Sequence, residues 1–306
     1  MSLPTTPQGW AIRLTQILSL HQAAHGLPRF PIDVAALAQD VSRQVFPDAP
    51  ITMVGGIDLS TGVEGMLMPN PDGSGEWGII YNDTIRSPGR QNFTLAHELG
   101  HYLLHRQTNP NGLECTNRNM ADWDEGRNKI EGEANTFASY LLMPLDDFRE
   151  QIKGRASDID LMTDLADRYA VSLTAAILKW MTITDKRAMI VVGKEGFIDW
   201  AWSSEPLLKS GVFYRARQTV TEMPAASLAA QEVDWDTGRH GHLHPAGVWL
   251  GSEPVHEMTV FSPRNDQMTI SLLLYPDRAP SRWEVAELEE EQTVDTFDKF
   301  MDGRTG

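Results

Sequence analysis

Apolar positions recur at helical intervals over the first quarter of the chain. Trp10, Ile12, Leu14, Ile17 and Leu20 supply them between Gln8 and His25, and Pro28 and Pro31 end the segment. Asp33 stands where a helix cap belongs, and Val34, Leu37, Val41 and Val45 share one side of the helix it would start. The period then shortens. Ile51 to Ile57, Glu64 to Met68 and Trp77 to Tyr81 read as strands, and Asn70-Pro71-Asp72-Gly73-Ser74-Gly75 reads as the loop joining the last two. Helical patterning returns from Gly89 to about His105. A polar stretch from Gln107 to Arg127 reads as a loop, and a further helix runs from Asn128 to Leu142, before Pro144. Two helical segments follow, near Asp158–Tyr169 and Leu173–Thr182.

Beyond Lys186 the chain turns to short β-rich runs separated by Gly and Pro. Ala188–Val192, Val248–Leu250, Met258–Phe261 and Met268–Leu274 are the clearest. Trp283 to Met301 is acidic and helical in pattern, with Val294, Phe297 and Phe300 as its docking face. The expected class is α+β, with a second, β-rich domain starting near residue 185.

Composition removes classes without choosing a function. The net charge is -16, from 42 acidic and 26 basic side chains, which repels phosphate backbones and argues against direct contact with nucleic acid. No apolar run approaches the ~20 residues of a membrane-spanning helix, so no membrane partner is expected. Cys115 is the single cysteine, and the first residues lack a secretory pattern, so cytoplasmic residence is the expectation.

The chemistry concentrates at His97-Glu98-Leu99-Gly100-His101. Residues four apart lie one above the other on a helix, so both imidazoles can grip one metal ion, and Glu98 can reach a water on that ion. A catalytic zinc takes three protein ligands and leaves one position open. A third histidine six residues after the second is ruled out, because Gln107 stands there. A glutamate from a following helix is available in Ile130-Glu131-Gly132-Glu133-Ala134-Asn135-Thr136-Phe137-Ala138. Glu131, Asn135 and Ala138 share one helical face, and Glu133 and Phe137 another. Glu131 is the favoured third ligand with Asn135 behind it, and Glu133 is the alternative. Small Ala134 and Ala138 would let this helix approach the first closely. Two imidazoles and a carboxylate suit Zn2+.

Arg90 to His101, Glu131 to Ala138 and Leu141-Leu142-Met143-Pro144 together resemble the ImmA/IrrE family of metallopeptidases. Leu165-Ala166-Asp167-Arg168-Tyr169-Ala170-Val171-Ser172 extends the resemblance, which spans roughly residues 30 to 182. It implies a zincin-like core, at 1–156, followed by a helix-turn-helix-like segment at 157–185; the β-rich domain at 186–306, with its acidic helical tail, lies beyond the resemblance and is of unknown role, although some relatives carry a sensory-type domain there. The resemblance also implies a zinc endopeptidase that cleaves a helix-turn-helix repressor in a stress or mobile-element response. Glu98 would then be the general base.

Weaker signals carry bland readings beside functional ones. Leu161 to Trp180 invites a DNA-binding helix-turn-helix, yet Asp158, Asp160, Asp164 and Asp167 face only Arg168 and Lys179. Arg239-His240-Gly241-His242-Leu243-His244 offers a second metal tract, although its glycines and Pro245 read as an exposed loop. Tyr140 and His105 are candidates to assist at the oxyanion. Cys115 reads as a plain loop cysteine beside the functional reading of a thiolate that blocks zinc or senses oxidants. A non-catalytic zinc-binding or DNA-binding, antitoxin-like regulator remains the competing class. The intact Glu98 argues against it, since a closed structural site needs no base.

Overall fold

The computed structural model describes residues 2–59, 62–116, 129–214, 220–261 and 268–277. The acidic segment from Trp283 to Met301 lies outside the described residues, as does most of the polar stretch before Arg127. The chain is α+β and divides into two compact units, one of residues 1–156 and 161–176, the other of 157–160 and 177–306.

The first unit begins with α1 (Pro7–His25), capped by Thr6, whose hydroxyl accepts from Gly9 N, and closed by Gly26 in the left-handed region at φ 66°. Its buried face is Trp10, Ala11, Leu14 and Thr15. Ile12, Ile17 and Leu20 are exposed, which corrects the apolar face expected from spacing. Asp33 caps α2 (Val34–Val45) by accepting from Ala36 N at 3.0 Å.

A four-stranded sheet follows, built from β1 (Ile51–Ile57), β2 (Val63–Pro69), β3 (Trp77–Asn82) and β4 (Leu113–Thr116), in the order β1-β3-β2-β4. The β1–β3 pair is parallel and the other two are antiparallel. Strand β4 falls inside the stretch expected to be loop. Four residues are too few to show an alternation that stands out from polar neighbours.

Helix α3 (Pro88–His105) packs on β2 and β3, and α4 (Lys129–Leu142) packs on α3. Two glycines permit this. A Cβ on Gly100 would stand 3.2 Å from Ala134 Cα and 3.0 Å from the Phe137 ring, so Gly100 and Ala134 let the two helix backbones close up. A Cβ on Gly89 would lie 2.4 Å from the Val171 carbonyl carbon, which seats the start of α3 on that turn. Leu67, Ile79, Leu99, Tyr102, Phe137 and Leu141 fill the core between sheet and helices. Helices α5 (Leu145–Ile152), α6 (Ile159–Tyr169) and α7 (Leu173–Met181) come next. The α6–α7 turn passes through Ala170 at φ 49°.

The second unit holds an antiparallel sheet of β5 (Ala188–Lys194), β6 (Phe197–Ser203), β7 (His242–His244), β8 (Val255–Phe261) and β9 (Met268–Leu274), in the order β6-β5-β9-β8-β7. Short helices α8 (Glu205–Lys209), α9 (Leu228–Gln231) and α10 (Trp235–His240) join its strands. Met189, Val191, Leu207, Trp249, Val255 and Leu273 form its core. Val248–Leu250 is not a strand, contrary to its apolar pattern. Trp249 is buried there because its indole N–H donates to Glu257 at 2.8 Å.

Candidate metal centre

Ser87 caps α3 and Pro88 fills its first turn, so the helix starts nine residues before His97 and runs without a break through His105. The four-residue spacing then stacks His97, His101 and His105 on one face. Their rings are in edge contact, with centroids 4.6 Å apart for His97–His101 and 5.1 Å for His101–His105. The close α3–α4 packing brings Glu131, in the first turn of α4, opposite the two upper histidines.

His97 Nε2 and His101 Nε2 lie 2.9 Å apart. Glu131 Oε2 is 3.2 Å from His97 Nε2, and its Oε1 is 3.6 Å from His101 Nε2. Two nitrogen ligands about 2.0–2.1 Å from one tetrahedral ion would be ~3.3 Å apart, so these separations bracket what a shared zinc requires. Cys115 joins them: one ligand atom from each of His97, His101, Cys115 and Glu131 falls within 4.8 Å of the others. Among the described residues this is the one such convergence of histidine, cysteine and acidic side chains. All four residues are buried.

The electrostatics suit a cation. Burial pulls His101 down to about 4, which keeps its ring neutral and its lone pair available. Burial pushes the Glu131 carboxyl up, but hydrogen bonds from His101 and His97 outweigh it and hold the group at about 2. Glu98 is fully buried and rises to about 7, chiefly through desolvation, with His97 opposing the rise. Neither of its carboxylate oxygens has a hydrogen-bond partner of good geometry. The nearby Cys115 thiol is the weak donor acting on it. Burial and the Glu98 and Glu131 carboxylates push that thiol up in turn. A buried carboxylate held as the anion beside the neutral His101 ring is the chemistry of a divalent-cation site.

Both histidines are held from behind. Asn135 Oδ1 lies 2.9 Å from His97 Nδ1. His105 Nδ1 lies 3.0 Å from His101 Nδ1, and the far side of that ring meets Glu133 Oε2 at 2.9 Å. Glu133 therefore stands away from the ligand atoms and belongs to this supporting chain. Tyr140 follows Glu131 by nine residues, ~13.5 Å along the helix. Glu64, on β2, is buried and ion-paired with Arg90, fixing the start of α3 to the sheet. Gly65 follows it. A Cβ there would meet Glu98 Oε1 at 2.7 Å and Thr94 Cγ2 at 2.5 Å, so glycine makes the room in which Glu98 sits.

Reading the sequence missed the place of Cys115. It is not a plain loop residue: it lies on β4, opposite Gly65 on β2, and strand alternation turns it inward while Glu114 is exposed. A glycine inside a strand was the available signal that another group comes close there. The Arg239–His244 tract is not a loop, although His240, His242 and Leu243 are exposed. Arg239 and His240 end α10, and His242–His244 is an edge strand whose His244 is buried with its ring 2.9 Å from Glu257. Glu257 is already occupied, accepting from Leu228 N, Ala229 N, Trp249 Nε1 and Thr259 Oγ1.

Two histidines and a carboxylate on adjoining helices beside a small sheet make the donor set that a catalytic zinc takes. Residues 64–181 match the model of the IrrE N-terminal-like domain, Peptidase M78, so that segment is similar to the ImmA/IrrE metallopeptidases. Among curated proteins nothing matches. Of the solved structures, one described as a Mycobacterium tuberculosis transcriptional regulator is similar in fold, with a TM-score of 0.51 and 15% identity, covering 86% of this chain and 76% of that one. Among the described residues no helix is long and apolar enough to cross a membrane.

Proposed function

We propose that this protein is a zinc-dependent endopeptidase that cleaves a helix-turn-helix transcriptional repressor, with His97, His101 and Glu131 as the metal ligands and Glu98 as the base. One observation carries the reading. Glu98 is a fully buried carboxylate without a good partner, one residue from a ligand and beside three convergent donors. A purely structural centre has no use for such a group.

When bound, zinc supplies Lewis acidity, lowering the pKa of its water toward ~7 and polarising the scissile carbonyl. The protein's own residues do the rest. Glu98 takes the proton from the attacking water and returns it to the leaving amine, a task suited to a carboxyl poised near neutrality. Asn135 and the His105–Glu133 pair hold the imidazoles in the tautomers that present Nε2 inward.

The repressor, and the stress or mobile-element response it would serve, follow from the family resemblance. A DNA-binding role for α6 and α7 has less support, because Lys179 of α7 is buried and Arg168 of α6 is already engaged. Asp147 takes Arg168 in two hydrogen bonds, at 2.7 and 2.8 Å. Arg155 is likewise paired with Asp164.

Mapping new protein N-termini in a bacterial lysate tests the proposal. Zinc-loaded wild type should generate a small set, mapping to helix-turn-helix proteins, that Glu98→Gln with equal zinc does not. Identical sets from both would refute the enzyme reading. Cleavage confined to other proteins would refute the repressor.

A further inference from the structure

We infer that Cys115 is a fourth metal ligand, whose sulfur closes the zinc site of the resting protein and must be displaced before substrate can bind. The inference rests on the metallopeptidase reading and adds its regulation.

Cys115 reaches the centre from an edge strand, an element separate from the two helices that carry the other ligands. Its ligand atom lies within the same 4.8 Å set as one atom each of His97, His101 and Glu131, which is the full complement of a tetrahedral ion. The inward direction is imposed by the strand, since Cys115 opposes Gly65 in the β2–β4 ladder and Gly65 is the residue pressed against Glu98. The sulfur therefore enters from the side of Glu98. That is the side on which the attacking water must lie if Glu98 is to take its proton. Sulfur and water compete for one position.

A second feature agrees. The Cys115 thiol is the weak donor that reaches the buried Glu98 carboxyl, so sulfur already stands where the base would act. A zinc with four protein ligands is a closed site, and a thiolate is a stronger ligand for it than water. A peptide carbonyl arriving with a water would exchange for the sulfur, and the released thiolate would take up a proton from solvent. The resting enzyme would thus be latent, and the ligand that opens it would be one able to outcompete a single thiolate.

X-ray absorption at the zinc edge of the full-length, zinc-reconstituted protein decides the matter without needing activity. Wild type should show a sulfur neighbour at about 2.3 Å together with nitrogen and oxygen neighbours at about 2.0–2.1 Å. Cys115→Ser should keep one zinc per chain and lose the sulfur neighbour. With cobalt in place of zinc, wild type should show a thiolate-to-metal charge-transfer band that the variant lacks. Acetohydroxamate, used as a small bidentate probe, should bind the cobalt variant at least about tenfold more tightly, a difference of about 1.4 kcal/mol. Wild type that holds zinc through nitrogen and oxygen alone would overturn the fourth ligand and leave the peptidase reading standing. Wild type that is folded and holds no zinc would overturn both.

Discussion

Replacing Glu98 by Gln should stabilise the metal-free protein, and by an amount that depends on pH. In the fold the Glu98 carboxyl is raised from 4.5 to about 7, mainly because burial strips its charged form of water. The folded state therefore holds a proton that the unfolded chain releases at lower pH. Such a group contributes stability that is fully present below its unfolded pKa and is lost as pH rises through the folded value. At about 1.4 kcal/mol per pH unit, the rise from 4.5 to about 7 amounts to about 3 kcal/mol. Glutamine mimics the protonated acid at every pH and escapes the loss. Urea unfolding of both proteins in excess chelator gives the difference directly. The variant should match wild type near about pH 4.5 and exceed it by about 3 kcal/mol above about pH 7.5. The neighbouring His101, held near 4, is common to both proteins and largely cancels. Chelator is needed because a bound cation would favour the Glu98 anion and shrink the effect. A difference that stays flat with pH, or a wild type that gains stability relative to the variant as pH rises, would refute the assignment of Glu98 as a desolvated acid.

Other expectations follow from single contacts. Asn135→Ala removes the partner of His97 Nδ1 and should weaken zinc binding roughly 10–100-fold in a chelator competition, with little change in fold by circular dichroism. Gly65→Ala sets a methyl group against Thr94 and the Glu98 carboxyl. It should cost about 1–3 kcal/mol in thermal unfolding and reduce cleavage more than zinc content. In the second unit Arg187 and Glu253 form a buried pair with contacts of 2.5 and 2.7 Å. Arg187→Ala should cost about 3–5 kcal/mol by leaving that carboxylate uncompensated, while zinc per chain stays at the wild-type value.

What could be read from the sequence was what depends on spacing along one element. His97 and His101 are four residues apart, with Glu98 beside the first, on a helix expected from Gly89 to about His105 and found from Pro88 to His105. Asp33 as a cap, and Met268–Leu274 as a strand, are likewise local. Glu131 and Asn135 were legible as a face of a helix, although which face meets α3 is decided by Gly100 against Ala134. Contacts between elements distant in sequence were not legible. The register that sets Cys115 opposite Gly65 belongs to a four-residue edge strand, and nothing in Leu113-Glu114-Cys115-Thr116 announces its partner. The face of α1 was misread for a related reason. An amphipathic pattern says which residues are apolar, whereas Ile17 and Leu20 are exposed because what packs on α1 covers only one narrow side.

These two kinds of residue divide the labour of the centre. The ligands on α3 are braced before any ion arrives, since Asn135 engages the outer nitrogen of His97 and His105 that of His101, and Glu133 steadies His105. A braced donor set pays little ordering entropy on binding, so the helices can define metal affinity by themselves. Cys115 is differently placed, on an edge strand paired on one side only, against β2. Edge pairing is less constrained than helix packing across a shared core. The ligand best able to leave is therefore the one carried by the least constrained element. It is also the one facing the base, so moving it both frees a coordination position and admits water to Glu98.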